Sequence, residues 1–145
     1  MNFTISELCA SSKAKELKID NTPKDLKIYD NMLLLIAECL QPLRDAWSDG
    51  IYISSGYRCP ELNKKVGGSS TSSHCEGCAV DLYVKGDMDK FFKFARNYFK
   101  NHPFDQLIKE KVGNSVWLHL GYRKNKNRNM FLTTTDGKTY KNWDE

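Results

Sequence analysis

The sequence predicts an α+β fold: a small, mainly antiparallel sheet with helices packed on one face. Three observations carry that prediction. Residues 24–47 repeat apolar side chains at helical spacing, residues 86–102 do the same with aromatic ones, and residues 104–122 read as two β-rich runs around a short turn.

Residues 3–9 (FTISELC) predict a short opening helix, with Thr4 or Ser6 as N-cap and Glu7 in the first turn. Residues 11–23 are polar and end in the turn signal Asn21-Thr22-Pro23. From Lys24 to Trp47 the stripe Leu26, Tyr29, Leu33, Ile36, Ala37 and Leu40 predicts the main helix, interrupted near Gln41 by Pro42. Asp49-Gly50 marks a turn into the strand 51–54, and residues 60–68 suit a short helix with Pro60 in its first turn and Gly67 at its end. The run Ser69–Ser73 is a loop leading straight to His74, and AVDLYV (79–84) is a second strand. Residues 86–102 form a helix whose face Phe91, Phe94, Ala95, Tyr98 and Phe99 belongs to the core. FDQLIKE (104–110) and SVWLHLGY (115–122) make a hairpin turning over Lys111–Asn114. RKNKNRN (123–129) is a loop, and MFLTTT (130–135) is an edge strand.

Composition bounds the rest. A chain of 145 residues, 40% hydrophobic, supports one domain over residues 1–145 with a genuine core. A net charge of +4 favours an anionic partner without naming it. No segment approaches the ~18 apolar residues of a membrane span. The start has no long apolar stretch of a cleaved signal, so we expect synthesis in the cytoplasm. The five cysteines make no disulfide framework; Cys75 and Cys78 form a CxxC without a second ligand pair and read as two reduced thiols.

The chemistry concentrates between Ser54 and Leu82. His74 and Asp81, seven residues apart, can be presented from a loop and the strand it enters, and His119 in the hairpin is the best third partner. Two imidazoles and one carboxylate with a vacant position are the pattern of a catalytic zinc. Such a site needs a carboxylate to move a proton, a role open to Glu110, and a fixed cation for a substrate carboxylate or developing oxyanion, a role open to Arg58. Ser72 is placed to hydrogen-bond substrate. Plainer readings stand beside these: satisfied core or surface histidines, an Asp81–Arg58 ion pair, and a solvated strand-end charge at Glu110. His102 reads as a helix-end residue, and the lysines of 123–128 as a solvated loop or a hold for a polyanion.

The order SGYRCPELNKKVGGSSTSSHCEGCAVDL, FDQLIKE, WLHLGY resembles the zinc D-alanyl-D-alanine carboxypeptidase family, in particular its compact bacteriophage and prophage members. The opening FTISELCASSKAKELKIDNTP and the run LLLIAECLQPLRDAW are similar to the same subgroup. The resemblance implies a fold of the Hedgehog/DD-peptidase type and a Zn2+ cofactor. It further implies a zinc peptidase acting on the stem or cross-bridge peptides of bacterial peptidoglycan, as a D,D-carboxypeptidase or an endolysin-type endopeptidase. The motif SxHxxGxAxD runs from Ser72 to Asp81. Through it the resemblance implies His74, Asp81 and His119 as metal ligands, with Arg58 and Ser72 facing substrate. Some members carry the catalytic Glu three residues before the last His, where Val116 stands; Asp105 to Glu110 fits the alternative D-x-x-x-x-E arrangement. Trp117 occupies the place of a second histidine, and Cys78 replaces a long polar residue. The expectation is a monomer acting at the bacterial cell wall, with no nucleic-acid partner. The alternative is a catalytically silent, metal-containing wall-binding module of the same fold.

Overall fold

The computed structural model describes residues 2–144. The chain starts with α1 (Ile5–Cys9), capped by the Thr4 hydroxyl, which accepts from Glu7 N. A second helix, α2 (Ser12–Leu17), forms in the stretch that looked merely polar. Ser11 caps it and Lys18 ends it in the left-handed region, but only Ala14 is buried, so it shows almost no apolar period.

The long helix expected over 24–47 is three segments: α3 (Leu26–Leu35), a π-helical turn (Ile36–Leu40) and α4 (Gln41–Ala46). Pro42 sits in the first turn of α4 and has no N–H to give to the preceding turn. Just upstream, Gln41 N–H reaches back five residues to Ile36 O, so the chain absorbs the proline by widening a turn rather than breaking. Next come β1 (Tyr52–Ser55), α5 (Pro60–Lys65), a 3₁₀ turn (Ser73–Glu76), β2 (Ala79–Tyr83) and α6 (Met88–Phe99). The chain finishes with β3 (Gln106–Val112), β4 (Ser115–Gly121), β5 (Met130–Thr134) and β6 (Lys141–Asn142).

The six strands form one sheet in the order β1-β2-β4-β3-β5-β6. All pairs are antiparallel except β3 with β5. The fold is therefore α+β with a mainly antiparallel sheet, as expected. Two details differ. The hairpin turns over Gly113-Asn114 alone, with Gly113 at φ +60°, so Lys111 and Val112 remain paired. And β5 is not an edge, because β6 pairs along its outer side. A two-residue strand carries no periodic signal to foresee.

Alternation along the strands splits the sheet into two faces. Val80, Leu82, Leu107, Leu118 and Leu120 are fully buried in the core with Phe91, Phe92, Ala95 and Phe99 of α6. Asp81, Ile108, Glu110, His119 and Leu132 point the other way, into a cleft of about 1240 Å³.

Candidate active site

Three elements bring the cluster together. Ser72 opens the 3₁₀ turn, its hydroxyl accepting from His74 N at 3.2 Å, and Gly77 closes it at φ +73°. A side chain at Gly77 would also meet the Ile28 carbonyl at 2.7 Å. The turn delivers His74 beside β2, and the register pairs Asp81 directly with His119 of β4. His74 Nε2 lies 3.3 Å and His119 Nδ1 3.2 Å from Asp81 Oδ1. The three residues thus share one point, with His119 of the hairpin as the third partner.

His74 Nδ1 stands 2.8 Å from the Gly56 carbonyl, which can only accept, so Nδ1 carries the proton and Nε2 is free toward the cluster. Donors around a tetrahedral zinc at about 2.0–2.2 Å lie roughly 3.3 Å from one another, and both measured separations match. The donor atoms of His74, Asp81 and His119 all lie within 4.8 Å of one another. These residues fit a zinc ion, and three protein donors leave a tetrahedral ion one further position. Burial pushes the Asp81 carboxyl up, but the adjoining His74 and His119 more than offset it and hold it ionised well below the usual carboxylate range.

Glu110 lines the same cleft, 7% exposed. Its Oε2 accepts from Trp117 Nε1 at 2.9 Å, a contact set by the cross-strand pairing of Glu110 with Trp117. Burial, then the charge of Asp81, raises its carboxyl above the ordinary value against the pull of His119, Trp117 and Arg58. Trp117, which sequence reasoning noted only for not being a histidine, is what orients the carboxylate. The hairpin register, readable from the two strands, was the signal for it.

Arg58 reaches the cleft with Nη2 3.3 Å from Ser72 Oγ, while its backbone N–H donates to His74 O. It makes no ion pair with Asp81. Ser72 Oγ accepts from both Arg58 and His74 N, which leaves its own hydrogen to donate into the cleft.

The loop after β4 holds a group the sequence analysis overlooked. Arg123 Nη2 donates to Ser73 Oγ (2.7 Å) and Glu76 Oε2 (2.6 Å), and Nε pairs with Asp105 at 3.4 Å. Arg128 makes two parallel bonds to Asp105, both 2.8 Å. Burial alone would raise the Asp105 carboxyl, but Arg128 and Arg123 outweigh it and hold it below the ordinary range. Lys124 and Lys126 are exposed, as expected of a solvated loop, whereas Arg123 ties the His74 turn to the start of the Glu110 strand and Arg128 fastens the loop to that same Asp105. His102 stacks on Tyr98 at the end of α6, away from the cluster. All five cysteines are free, and burial pushes the Cys78 thiol up to about 11, so it stays protonated at neutral pH.

The family model described as Peptidase M15 matches residues 1–121. No curated protein matches the chain.

Proposed function

The chain belongs to the Peptidase M15 family, and on that premise we propose that it is a zinc-dependent peptidase of bacterial peptidoglycan, acting on stem or cross-bridge peptides at the cell wall. The observation that carries the reading is a buried carboxylate, Glu110, held by Trp117 on the same sheet face as the His74–Asp81–His119 cluster.

His74 through Nε2, Asp81 through its carboxylate and His119 through Nδ1 would hold the ion. When bound, zinc supplies Lewis acidity that polarises a peptide carbonyl and makes water a competent nucleophile at neutral pH. With Oε2 occupied by Trp117, Glu110 Oε1 is the atom that takes the proton of the attacking water and delivers it to the leaving amine nitrogen. The burial that raises Glu110 suits it to both halves of that transfer. Arg58 binds a substrate carboxylate or steadies the carbonyl oxygen as it gains charge, and Ser72 donates to a substrate oxygen. A basic chain, net +4, suits an anionic wall.

Purified, zinc-loaded protein incubated with peptidoglycan should release muropeptide fragments detectable by mass spectrometry. Release should stop with a chelator and in Glu110→Gln. A zinc-loaded preparation that leaves every muropeptide intact, or a Glu110→Gln protein as active as the parent, would overturn the reading.

A further inference from the structure

Strand pairing lays one row of side chains across the cleft face: Asp81 opposite His119, His119 opposite Ile108, Ile108 opposite Leu132, and Leu132 opposite Asn142. Residues paired directly across strands project to the same side. Neighbouring strands lie about 4.8 Å apart, so the row runs roughly 14 Å from His119 to Asn142, the length of about four residues of extended chain. It begins at the metal cluster, passes over hydrocarbon at Ile108 and Leu132, and ends on an amide.

Residues 135–140, which connect β5 to β6, border the cleft at that end. Asp136 Oδ1 accepts from Lys138 N (2.8 Å) and Thr139 N (2.7 Å), and Thr134 Oγ1 accepts from Gly137 N (3.0 Å), so the turn is held from within. Its Lys138 and Tyr140 line the cleft. Tyr140 OH donates to the Gly137 carbonyl at 3.2 Å, and the Lys138 ammonium pairs with no carboxylate among the described residues. This wall follows the residues matched by the family model, which end at 121.

We propose that the trough from His119 to Asn142 is a substrate subsite for an acidic, extended peptide segment on one side of the scissile bond. Ile108 and Leu132 lie beneath the segment, Lys138 receives its carboxylate, and the Tyr140 ring, its hydroxyl held by Gly137, walls the segment in. The proposal rests on the peptidase reading and narrows its substrate to acidic peptides several residues long, in preference to a dipeptide.

The test compares kcat/KM on three probes: D-Ala-D-Ala, a synthetic stem pentapeptide with a free glutamate α-carboxylate, and the same peptide amidated there. The parent protein should favour the free-carboxylate pentapeptide over both others by about tenfold or more. Lys138→Glu should reverse the preference between the two pentapeptides, and Tyr140→Ala should weaken it. Calorimetric binding of the same probes to zinc-loaded Glu110→Gln protein gives a readout independent of turnover. Cleavage of all three probes with no dependence on length or charge sinks the subsite and leaves the peptidase standing. Binding that prefers the acidic pentapeptide and needs Lys138, without any cleavage by the parent, supports the subsite and sinks the peptidase. Neither binding nor cleavage sinks both.

Discussion

The two faces of β2, β4 and β3 are both buried but chemically opposite, one closed against the helices and the other lining a cleft. One presents Val80, Leu82, Leu107, Leu118 and Leu120 to the helices; the other presents Asp81, His119 and Glu110 to the cleft. Hydrocarbon removed from water stabilises the fold by about 25 cal/mol per Å². Buried ionisable groups cost free energy unless partnered. The same backbone therefore holds the fold together on one side and keeps titratable groups in a demanding environment on the other. Stability and chemistry should then be separable by substitution, one residue apart along a strand.

The largest separation is expected at Glu110→Gln. It should lower kcat on muropeptides by about 10²–10⁴-fold while the melting temperature holds or rises, since a buried charge has been removed. The opposite change is Leu118→Ala, next to His119 but on the core face. Truncating this fully buried leucine should cost about 2–5 kcal/mol in urea melts, with the folded fraction still active. Between these lies metal removal. At zinc a hundredfold above its Kd, chelation should cost about 3 kcal/mol of stability, yet circular dichroism should still report a folded chain. Unfolding on chelation would mean the two faces are not independent.

Smaller still is Arg123→Ala, which leaves every donor of the cluster in place but cuts the ties from Ser73 and Glu76 to Asp105. Competition titration should show zinc affinity falling about 10–100-fold, as for other groups that orient ligands from behind. The smallest effect is on pH. The Asp105 carboxyl is lowered in the folded chain, so its contribution is fully present above its unfolded value near 3.9. That contribution is lost as pH falls through the lower folded value. Acid melts should steepen below about pH 4, and Asp105→Asn should flatten that limb.

Much of the site was legible before any coordinates. His74, Asp81, His119 and Glu110, singled out by residue type and by the resemblance, all lie on the cleft. Most of what escaped was non-local; the exception, Trp117 against Glu110, is a contact within one hairpin. Arg123 and Arg128 sit in a run of Lys, Asn and Arg with no period, and only the meeting of that loop with Ser73 and Asp105 gives them work. Trp117 looked like the absence of a histidine until the register put it against Glu110. The strand 130–135 was recognisable by composition, but its parallel pairing with β3 and its cover by β6 were not.

By itself the sequence determined the elements whose period is strong, the hairpin, and the residue types able to hold a divalent ion, since these depend on neighbours along the chain. Only the tertiary structure decided that Arg123 grips the His74 turn, that Arg128 grips Asp105, and that a trough runs from His119 to Asn142. Those facts depend on strand register and on contacts between segments 20 to 50 residues apart. No short window of sequence records them, because the energy that selects them is shared across the whole sheet.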